Sequence, residues 1–413
     1  MPAATPPAPD TPLALLRTGD TWTLALDPVE VVEADGADAF DALDDLTPGF
    51  WAGFATFELG HAVEHVRPGR ASRGAAPALP GVCFVRFAHT EVVPDALELL
   101  RTWQPDRTPV GLGAVARTSL ARAGYVAGVE RILDHIGAGD CYQVNLTRVL
   151  EWDVATDPVA LTAAVLNGSV AAATSGSAPV PPHATILRLP GPHGPVAVVG
   201  ASPERFLSWE GTAVETRPIK GTAAEAGDLM ASAKDHAENV MIVDLARNDL
   251  GRVCRTGSVH VPALCATERH PGLAHLVSTV RGEIRDGVGV GGLLRATFPP
   301  ASVTGAPKPR VLQIVEDLET VARGVYCGAT GWIDTLHGRG DLAVAIRTFE
   351  ITPHLTRLGV GAGIVADSDP GREWDETRLK AERLLAAAGA WEPVDRPRPG
   401  PSLTPDLPLE VTR

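Results

Sequence analysis

A lysine in a constrained turn is the residue of this sequence that is most suited to chemistry. The stretch "ETRPIKGTAAE" (215–225) places Lys220 between Pro218 and Gly221. Proline fixes its own φ and glycine tolerates conformations that other residues avoid, so such a turn can hold one side chain in a fixed direction. An aimed and desolvated amine could act as a nucleophile. The same pattern is also typical of a strand end whose exposed corner carries a lysine.

An acid stands near this lysine in the sequence. The stretch "SPERF" carries Glu204 sixteen residues before Lys220, a separation that a β-hairpin can close. The two side chains could set a proton donor beside a nucleophile, or they could form a surface ion pair.

Two predicted helices carry acidic side chains on one face. In the segment 228–248, Asp235 and Glu238 lie three residues apart and face the same way. A second helix opens at a Pro-Gly pair near the C-terminus and is stopped by Gly389. The charged residues that share one face of it are Glu373, Glu376 and Lys380. Taken singly, each face is typical of a solvated surface, whereas two converging faces would form a hard-oxygen site for Mg²⁺.

Two shorter motifs have both a functional and an ordinary interpretation. In "GVGAGIVADS", Gly361 and Gly363 leave backbone amides open to an approaching carboxylate, or they mark a tightly packed strand. The stretch "HAVEH" matches an inverted zinc-protease pattern, with His61 and His65 as ligands and Glu64 as base. The preceding "FWAGFATFELG" is typical of a strand and turn, so we do not expect zinc there.

Composition excludes several classes of protein. A formal charge of −14 and a pI near 5.3 argue against nucleic acid or an anionic membrane as partner. Five scattered cysteines without a C-x-x-C pair are typical of reduced thiols in a cytosol. The N-terminus lacks the features of a signal peptide, and no apolar stretch reaches membrane-spanning length. We therefore expect a cytoplasmic protein.

The order of segments predicts the fold class. Gly-punctuated β-branched runs come in blocks, separated by a few long helical patterns, which favours an α+β architecture of antiparallel sheets covered by helices. Residues 175–183, "SGSAPVPPH", are typical of a long loop. No linker divides the chain, so we expect one large domain between a disordered segment 1–11 and a Pro-rich tail 392–413.

Several long motifs, in this order, resemble the chorismate-utilising enzymes. They are "GDCYQVNLTR", "SPERF", "RPIKGT", "AENVMIVDLARNDLGRV", "HLVSTVRGE", "FPPASVTGAPKPR", "AIRT", "GAGIVADSDP" and "EWDETRLKA". The resemblance implies a single α+β domain of two packed antiparallel sheets with helices outside. It also implies that 115–391 is the chorismate-binding catalytic region and that 12–114 is the N-terminal part of the same domain.

Within this family, the residue at position 220 suggests the reaction. Relatives that make anthranilate resemble "PIAGT" here, whereas "PIKGT" together with "YQVNL" is similar to the aminodeoxychorismate synthase component I branch. The resemblance then implies amination of chorismate to 4-amino-4-deoxychorismate, in the 4-aminobenzoate and folate route. Ammonia would come from a separate glutamine amidotransferase subunit, and no pyridoxal phosphate would be required.

The resemblance also implies roles for individual residues. Lys220 would attack C2 of chorismate while Glu204 protonates the departing C4 hydroxyl. The Mg²⁺ ion would be held by Glu238 and Glu376, with Glu373 and Asp235 close by. The residues expected to bind the substrate are Thr222, His275, Thr304, Arg347, Gly361, Gly363 and Lys380.

Three alternatives stay open at this point. The chain could be a relative that makes anthranilate or 2-amino-4-deoxyisochorismate. It could instead be a lysine Schiff-base aminotransferase that uses pyridoxal phosphate. Finally, it could be a non-catalytic regulatory subunit that binds chorismate or tryptophan. Product analysis separates the first, and the absorbance spectrum of the pure protein separates the second.

Overall fold

The structure is a computed structural model that describes residues 7–8, 10–73, 79–104, 110–171, 180–223, 233–270 and 273–393. Within this part of the chain the strands are β1 Leu13–Thr18, β2 Thr21–Ala34, β3 Phe50–Ala55, β4 Val82–Val93, β5 Gly113–Ala114, β6 Arg117–Thr118, β7 Gln143–Trp152, β8 His183–Leu189, β9 Val196–Ser202, β10 Arg205–Glu210, β11 Ala213–Arg217, β12 Ile219–Ala223, β13 His260–His270, β14 Leu273–Glu283, β15 Gly305–Ala306, β16 Ala329–Asp334, β17 Arg339–Val344, β18 Thr348–Thr352, β19 Leu355–Ile364 and β20 Ala390–Trp391. The α-helices are α1 Asp38–Asp44, α2 Gly60–Glu64, α3 Ala96–Trp103, α4 Arg122–Gly137, α5 Pro158–Ala171, α6 Ala233–Gly251, α7 Val290–Thr297, α8 Lys308–Leu318 and α9 Pro370–Ala387, and short 3-10 helices span Phe57–Leu59 and Ala301–Val303.

Eighteen of the strands form one antiparallel network in which β1 joins two sheets. From β1, one run of pairings leads through β2, β4, β3, β16, β17, β10 and β11 to β14, which also pairs with β12 and β13. The other run leads through β8, β9, β18 and β19 to β7. Only β5 and β20, among the described strands, pair outside this network, and they are parallel.

The two sheets pack face to face and helices cover their outer sides. Phe54 and Val85 of the first sheet lie in one apolar cluster with Leu187 and Val198 of the second. Leu250 of α6, Leu293 of α7 and Leu312 of α8 belong to the largest cluster, and α5 and α9 cover β7 and β19 in another. Along β1, Ala14 and Leu16 belong to the cluster that contains Phe54, and Leu13 and Leu15 to another, as expected when successive side chains face opposite sides of a sheet. The predicted single α+β domain with packed antiparallel sheets is confirmed.

The two acid-bearing helices are present, with one change in extent. Helix α9 begins after Asp369, whose side chain caps the N–H of Arg372 at 2.9 Å, and it ends before Gly389, which has φ +58° as predicted for a stop. Helix α6 continues to Gly251, past the predicted end at residue 248, and residues 228–232 of the prediction lie outside the described part.

Some expectations about the chain ends and loops concern residues that the structure does not describe. These are 1–6 and 9 of the first segment, 175–179 of the long loop, and 394–413 of the tail. Of the described residues at the N-terminus, the carbonyls of Ala8 and Thr11 accept hydrogen bonds from Arg188 at 2.8 and 2.7 Å. No helix in the described part of the chain is long and apolar enough to cross a membrane.

Candidate active site

Lys220 and Glu204 come together at one end of the β10–β11 hairpin. Glu204 directly precedes β10 and Lys220 lies in β12, which follows β11. The Glu204 carboxylate accepts a hydrogen bond from the backbone N–H of Ile219 at 3.4 Å. Ser302 touches both groups: its carbonyl accepts a hydrogen bond from Lys220 Nζ at 3.2 Å, and its hydroxyl donates to Glu204. The predicted closure by a hairpin is therefore seen in the structure.

A β-bulge, and not a turn, directs the lysine. The pairing of β12 with β14 slips between Lys220 and Thr222, and Gly221 has φ +73° at that point. A glycine in the left-handed region is the usual way to accommodate an extra residue in one strand. The sequence suggested a turn because its proline and glycine flank the lysine, but the backbone on both sides remains paired with β14.

The lysine is half-buried in a mixed field of charges. Burial lowers the pKa of the Lys220 amine, because desolvation disfavours the ammonium form. The charges of Glu238, Glu204 and Glu376 oppose this shift, and that of Lys380 adds to it. All four predicted charged partners therefore lie close enough to act on the same amine.

The pKa of the Glu204 carboxyl is shifted in the opposite direction, upward. Burial raises the pKa of Glu204 to about 6, although the Ser302 hydroxyl, the charge of Lys220 and the N–H of Ile219 work against it. Its side chain is 4% exposed. A carboxyl with this pKa holds its proton more readily than an exposed glutamic acid, which suits a general acid.

Strand β19 and helix α9 form a wall beside the lysine. Lys380 Nζ donates to the carbonyl of Gly361 at 3.0 Å and pairs with Glu376 at 2.6 Å. A Cβ atom placed on Gly363 would lie 3.9 Å from Lys220 Nζ and 2.5 Å from Gln143 Nε2. A side chain at 363 would therefore have to displace the end of the Gln143 side chain, which lies beside Lys220.

The donor set fits a magnesium ion that the substrate would help to coordinate. Glu238 on α6 and Glu376 on α9 both act on Lys220 from different helices. The described residues include no group of three or more His, Cys, Asp or Glu side chains that could hold a metal by themselves. Mg²⁺ is commonly held by one or two carboxylates and completed by substrate oxygens and water, so two carboxylates near the same amine match it.

The other two predicted metal-site carboxylates are placed differently. Glu373 is buried on α9 and accepts a hydrogen bond from the Ser368 hydroxyl at 2.7 Å. Asp235 is half-buried in the first turn of α6, three residues before Glu238. Glu373 is thus engaged with the loop before α9, while Asp235 shares the helix of a proposed ligand.

The predicted substrate-binding residues differ in how far they are exposed. Arg347 is exposed between β17 and β18, has φ +52°, and its charge acts on Glu204. His275 is buried in β14, opposite Thr222 in the backbone pairing. Thr304 is fully buried and its hydroxyl donates a hydrogen bond to the carbonyl of Pro300 at 2.9 Å. The hydroxyl hydrogen of Thr304 therefore bonds to the protein backbone in this structure.

The histidine motif that formally resembles a zinc site has a different geometry. His65 ends α2 with φ +51°, and His61 Nε2 lies 3.8 Å from a carboxylate oxygen of Glu316 on α8. The left-handed turn at His65 breaks the helix on which both imidazoles would have to stand.

Two residues next to the lysine were not predicted from the sequence. Ser302 lies in the short helix Ala301–Val303, and Gln143 begins β7. Among the described residues, none donates a hydrogen bond to the buried Oε1 atom of Gln143, which lies beside Gly363. Both residues stand inside quoted motifs, "FPPASVTGAPKPR" and "GDCYQVNLTR", but neither has a charge to mark it.

Comparison with known proteins identifies the family of this chain. A model of the chorismate binding enzyme family matches residues 14–386. Aminodeoxychorismate synthase component 1 of Salmonella typhimurium is 37% identical over 291 residues, covering 68% of this chain and 61% of the relative. Aminodeoxychorismate synthase of Streptomyces pristinaespiralis is 42% identical over 298 residues, covering 69% of this chain and 39% of the relative.

One solved structure and one further relative extend the comparison. Anthranilate synthase component I from Streptococcus pneumoniae superposes with a TM-score of 0.71 at 26% identity, covering 89% of this chain and 92% of that one. Anthranilate synthase component 1 of Aquifex aeolicus is 45% identical over 200 residues, covering 46% of this chain and 40% of the relative. The matches thus span about three fifths of the Salmonella protein and two fifths of the Streptomyces and Aquifex proteins. Because the family model spans most of the sequence, the chain belongs to the family of chorismate binding enzymes.

Proposed function

We propose that this protein aminates chorismate at C4 to give 4-amino-4-deoxychorismate, as the aminating subunit of an aminodeoxychorismate synthase. The observation that carries the proposal is the contact of one residue, Ser302, with both the Lys220 amine and the Glu204 carboxyl. This arrangement sets a nucleophile and a proton donor on the same side of the site. The similarity to two relatives that bear the name aminodeoxychorismate synthase supports it.

The chemistry follows from the properties of these two groups. The neutral amine of Lys220 forms a bond to C2 of the ring, and the π electrons move to expel the C4 hydroxyl. Glu204 gives its proton to that hydroxyl, which leaves as water. Ammonia then adds at C4 and the C2–N bond breaks, so that Lys220 departs as a free amine. The surplus proton of the new ammonium group returns to Glu204, and the sum is chorismate plus ammonia to product plus water.

The remaining residues hold the substrate. Arg347 and Lys380 supply positive charge for its carboxylates, and β19 admits it closely because Gly361 and Gly363 carry no side chain. Glu238 and Glu376 would hold Mg²⁺, which when bound neutralises a substrate carboxylate and withdraws electrons from the ring.

The nitrogen source is proposed to be a separate protein. Glutamine hydrolysis in a cysteine-dependent amidotransferase requires a reactive thiolate. The five cysteines of the chain all lie in its described part, and burial raises the pKa of each thiol. We therefore expect the isolated chain to use ammonia, and to use glutamine only with a glutaminase subunit.

A product assay tests the proposal against its nearest alternative. The pure protein is incubated with chorismate, Mg²⁺ and either ammonium salt or glutamine, and the products are identified by mass spectrometry. We expect 4-amino-4-deoxychorismate, with its enolpyruvyl group retained, from ammonia alone. Anthranilate with release of pyruvate would instead assign the chain to the activity named for the Aquifex and Streptococcus relatives. Amination from glutamine by the pure chain would contradict the separate-subunit proposal.

A further inference from the structure

A fully buried arginine lies beneath the helix that carries Glu376 and Lys380. Arg148 of β7 has no exposed surface, and its Cζ lies 4.3 Å above the ring of Trp374 on α9. Its Nε donates to the Thr377 hydroxyl at 2.9 Å. That hydroxyl in turn donates to the carbonyl of Trp374 at 2.8 Å. The guanidinium therefore contacts the helical turn next to the site.

The charge of this arginine is neutralised from the far end of the chain. Glu392, beyond the end of α9, accepts two parallel hydrogen bonds from Arg148, at 2.7 and 2.9 Å. Such two-pronged pairing is the strongest geometry between a guanidinium and a carboxylate. An arginine does not lose its proton in a protein, so burying it without a carboxylate would be costly. Glu392 is therefore the group that allows Arg148 to remain charged there.

Backbone pairing delivers Glu392 to this position. The N–H groups of Leu112, Gly113 and Val115 bond in turn to the carbonyls of Ala388, Gly389 and Trp391 at 2.9–3.0 Å. The short parallel pair of β20 with β5 lies at the centre of these hydrogen bonds. These backbone hydrogen bonds hold the segment that follows α9 up to Trp391, and the side chain of the next residue, Glu392, reaches Arg148.

The same arginine is one step away from the candidate active site. Arg148 pairs across the ladder with Val360 of β19, the neighbour of Gly361. The carbonyl of Gly361 accepts the hydrogen bond from Lys380, and Glu376 adjoins Thr377 on α9. A shift of α9 relative to β7 would therefore displace both charged groups of the helix.

We propose that Glu392 is a positioning residue for the active site, which acts by neutralising Arg148 and so holding the turn of α9 that carries Glu376 and Lys380. Its effect on catalysis rests on the function proposed above, whereas its effect on α9 does not. Glu392 touches neither the lysine nor the acid, so it is not itself catalytic.

Hydrogen–deuterium exchange of the full chain, without substrate or metal, tests whether Glu392 stabilises α9. In Glu392→Gln the amides of 370–387 should exchange roughly tenfold faster or more, because loss of one partner of a buried ion pair costs more than a factor of ten in stability. Glu382→Gln removes an exposed carboxylate from the same helix and should exchange like wild type. The proposal fails if α9 exchanges in Glu392→Gln as slowly as in the control.

Two more measurements separate positioning from general stability. Well below the unfolding temperature, kcat/KM for chorismate in Glu392→Gln should fall roughly tenfold or more, since a displacement of about 1 Å can cost up to a hundredfold. Unchanged kinetics together with faster exchange of the α9 amides would overturn the positioning role.

A double variant tests whether Glu392 acts through Arg148. If Glu392→Gln does not fold, the double variant Arg148→Met/Glu392→Gln, which buries no charge, should fold and its α9 amides should exchange slowly. A double variant as loose as Glu392→Gln, or one that fails to fold, would show that Glu392 does not act through Arg148.

An inactive wild-type protein would refute the proposed function and leave the exchange result standing. The two conclusions can therefore fail independently.

Discussion

Lys220 Nζ donates a hydrogen bond to the carbonyl oxygen of Ser302 at 3.2 Å, across 82 positions of sequence. The contact matters because the hydroxyl of the same serine reaches Glu204. Ser302, in the short helix Ala301–Val303, thus contacts both the Lys220 amine and the Glu204 carboxyl. The relationship leads directly to a test of the lysine.

Replacing Lys220 should remove a covalent step. Trapping with chorismate in the absence of ammonia should give a mass increase on the peptide that contains Lys220 in the wild-type protein and none in Lys220→Ala. We expect the turnover of Lys220→Ala to fall by roughly three orders of magnitude, about 4 kcal/mol, because the variant lacks the amine proposed to attack C2. Pro218 and Gly221 remain, so the bulge and the fold should persist.

The arginine variant is the control for charge. If Lys220 acts only through its charge, Lys220→Arg should retain part of the activity and no adduct should form on the wild type. Undiminished C4 amination by Lys220→Ala would exclude the nucleophile role.

The raised pKa of Glu204, about 6, predicts a pH dependence of stability. The carboxyl of the unfolded chain has its ordinary pKa of 4.5, whereas in the folded protein its pKa is about 6. Between these values the folded state binds more protons, so the free energy of unfolding falls as pH rises. The loss should amount to about 2 kcal/mol and be nearly complete about one pH unit above the folded pKa.

Denaturant unfolding at several pH values measures this effect. The difference in free energy of unfolding between Glu204→Gln and wild type should grow in favour of the variant from pH 4.5 to 6.5, because glutamine carries no proton to lose. A difference that does not change with pH would show that Glu204 titrates normally. Loss of activity in the same variant is expected, since it has no proton to give to the C4 hydroxyl.

Removal of either proposed metal ligand should abolish the response to Mg²⁺. In Glu238→Gln and Glu376→Gln we expect turnover to fall by two orders of magnitude or more, about 3 kcal/mol, with little loss of stability. Calorimetric titration of Mg²⁺ in the presence of chorismate gives a readout that does not depend on turnover. Asp244→Asn removes an exposed carboxylate of α6 that pairs with Arg247, and it should behave like wild type. Full turnover in excess chelator would contradict the magnesium site.

A methyl group at position 363 should displace the side chain of Gln143. A Cβ atom there would lie 2.5 Å from Gln143 Nε2, inside a buried wall next to Lys220. We expect Gly363→Ala to destabilise the protein by about 1 kcal/mol and to reduce kcat/KM roughly tenfold, because the displaced Gln143 side chain lies beside Lys220. Gly137→Ala, in open space on α4, is the matched control and should be neutral or slightly stabilising. Equal behaviour of the two variants would show that the strand can yield at 363.

The fold class and the candidate lysine followed from local sequence patterns, whereas the family followed from the resemblance of several long motifs to known enzymes. Local patterns suffice for the first two, because apolar spacing, helix-opening Pro-Gly pairs and a lysine between proline and glycine act over a few residues. The end of α9 near Gly389 and the proximity of Glu204 to Lys220 were predicted in this way. The turn at Lys220 was not predicted correctly, since a proline and a glycine also flank bulges in paired strands.

Only the tertiary structure decided which distant groups meet. Ser302 carries no charge and lies 82 residues from Lys220, so nothing in its local pattern indicates that it spaces the lysine from the acid. Glu392 stood in a Pro-rich segment predicted to be a tail, yet it pairs with Arg148 across 244 residues. Such contacts depend on how β7, β19 and α9 pack, and packing over long separations is set by the whole chain rather than by any one stretch of it.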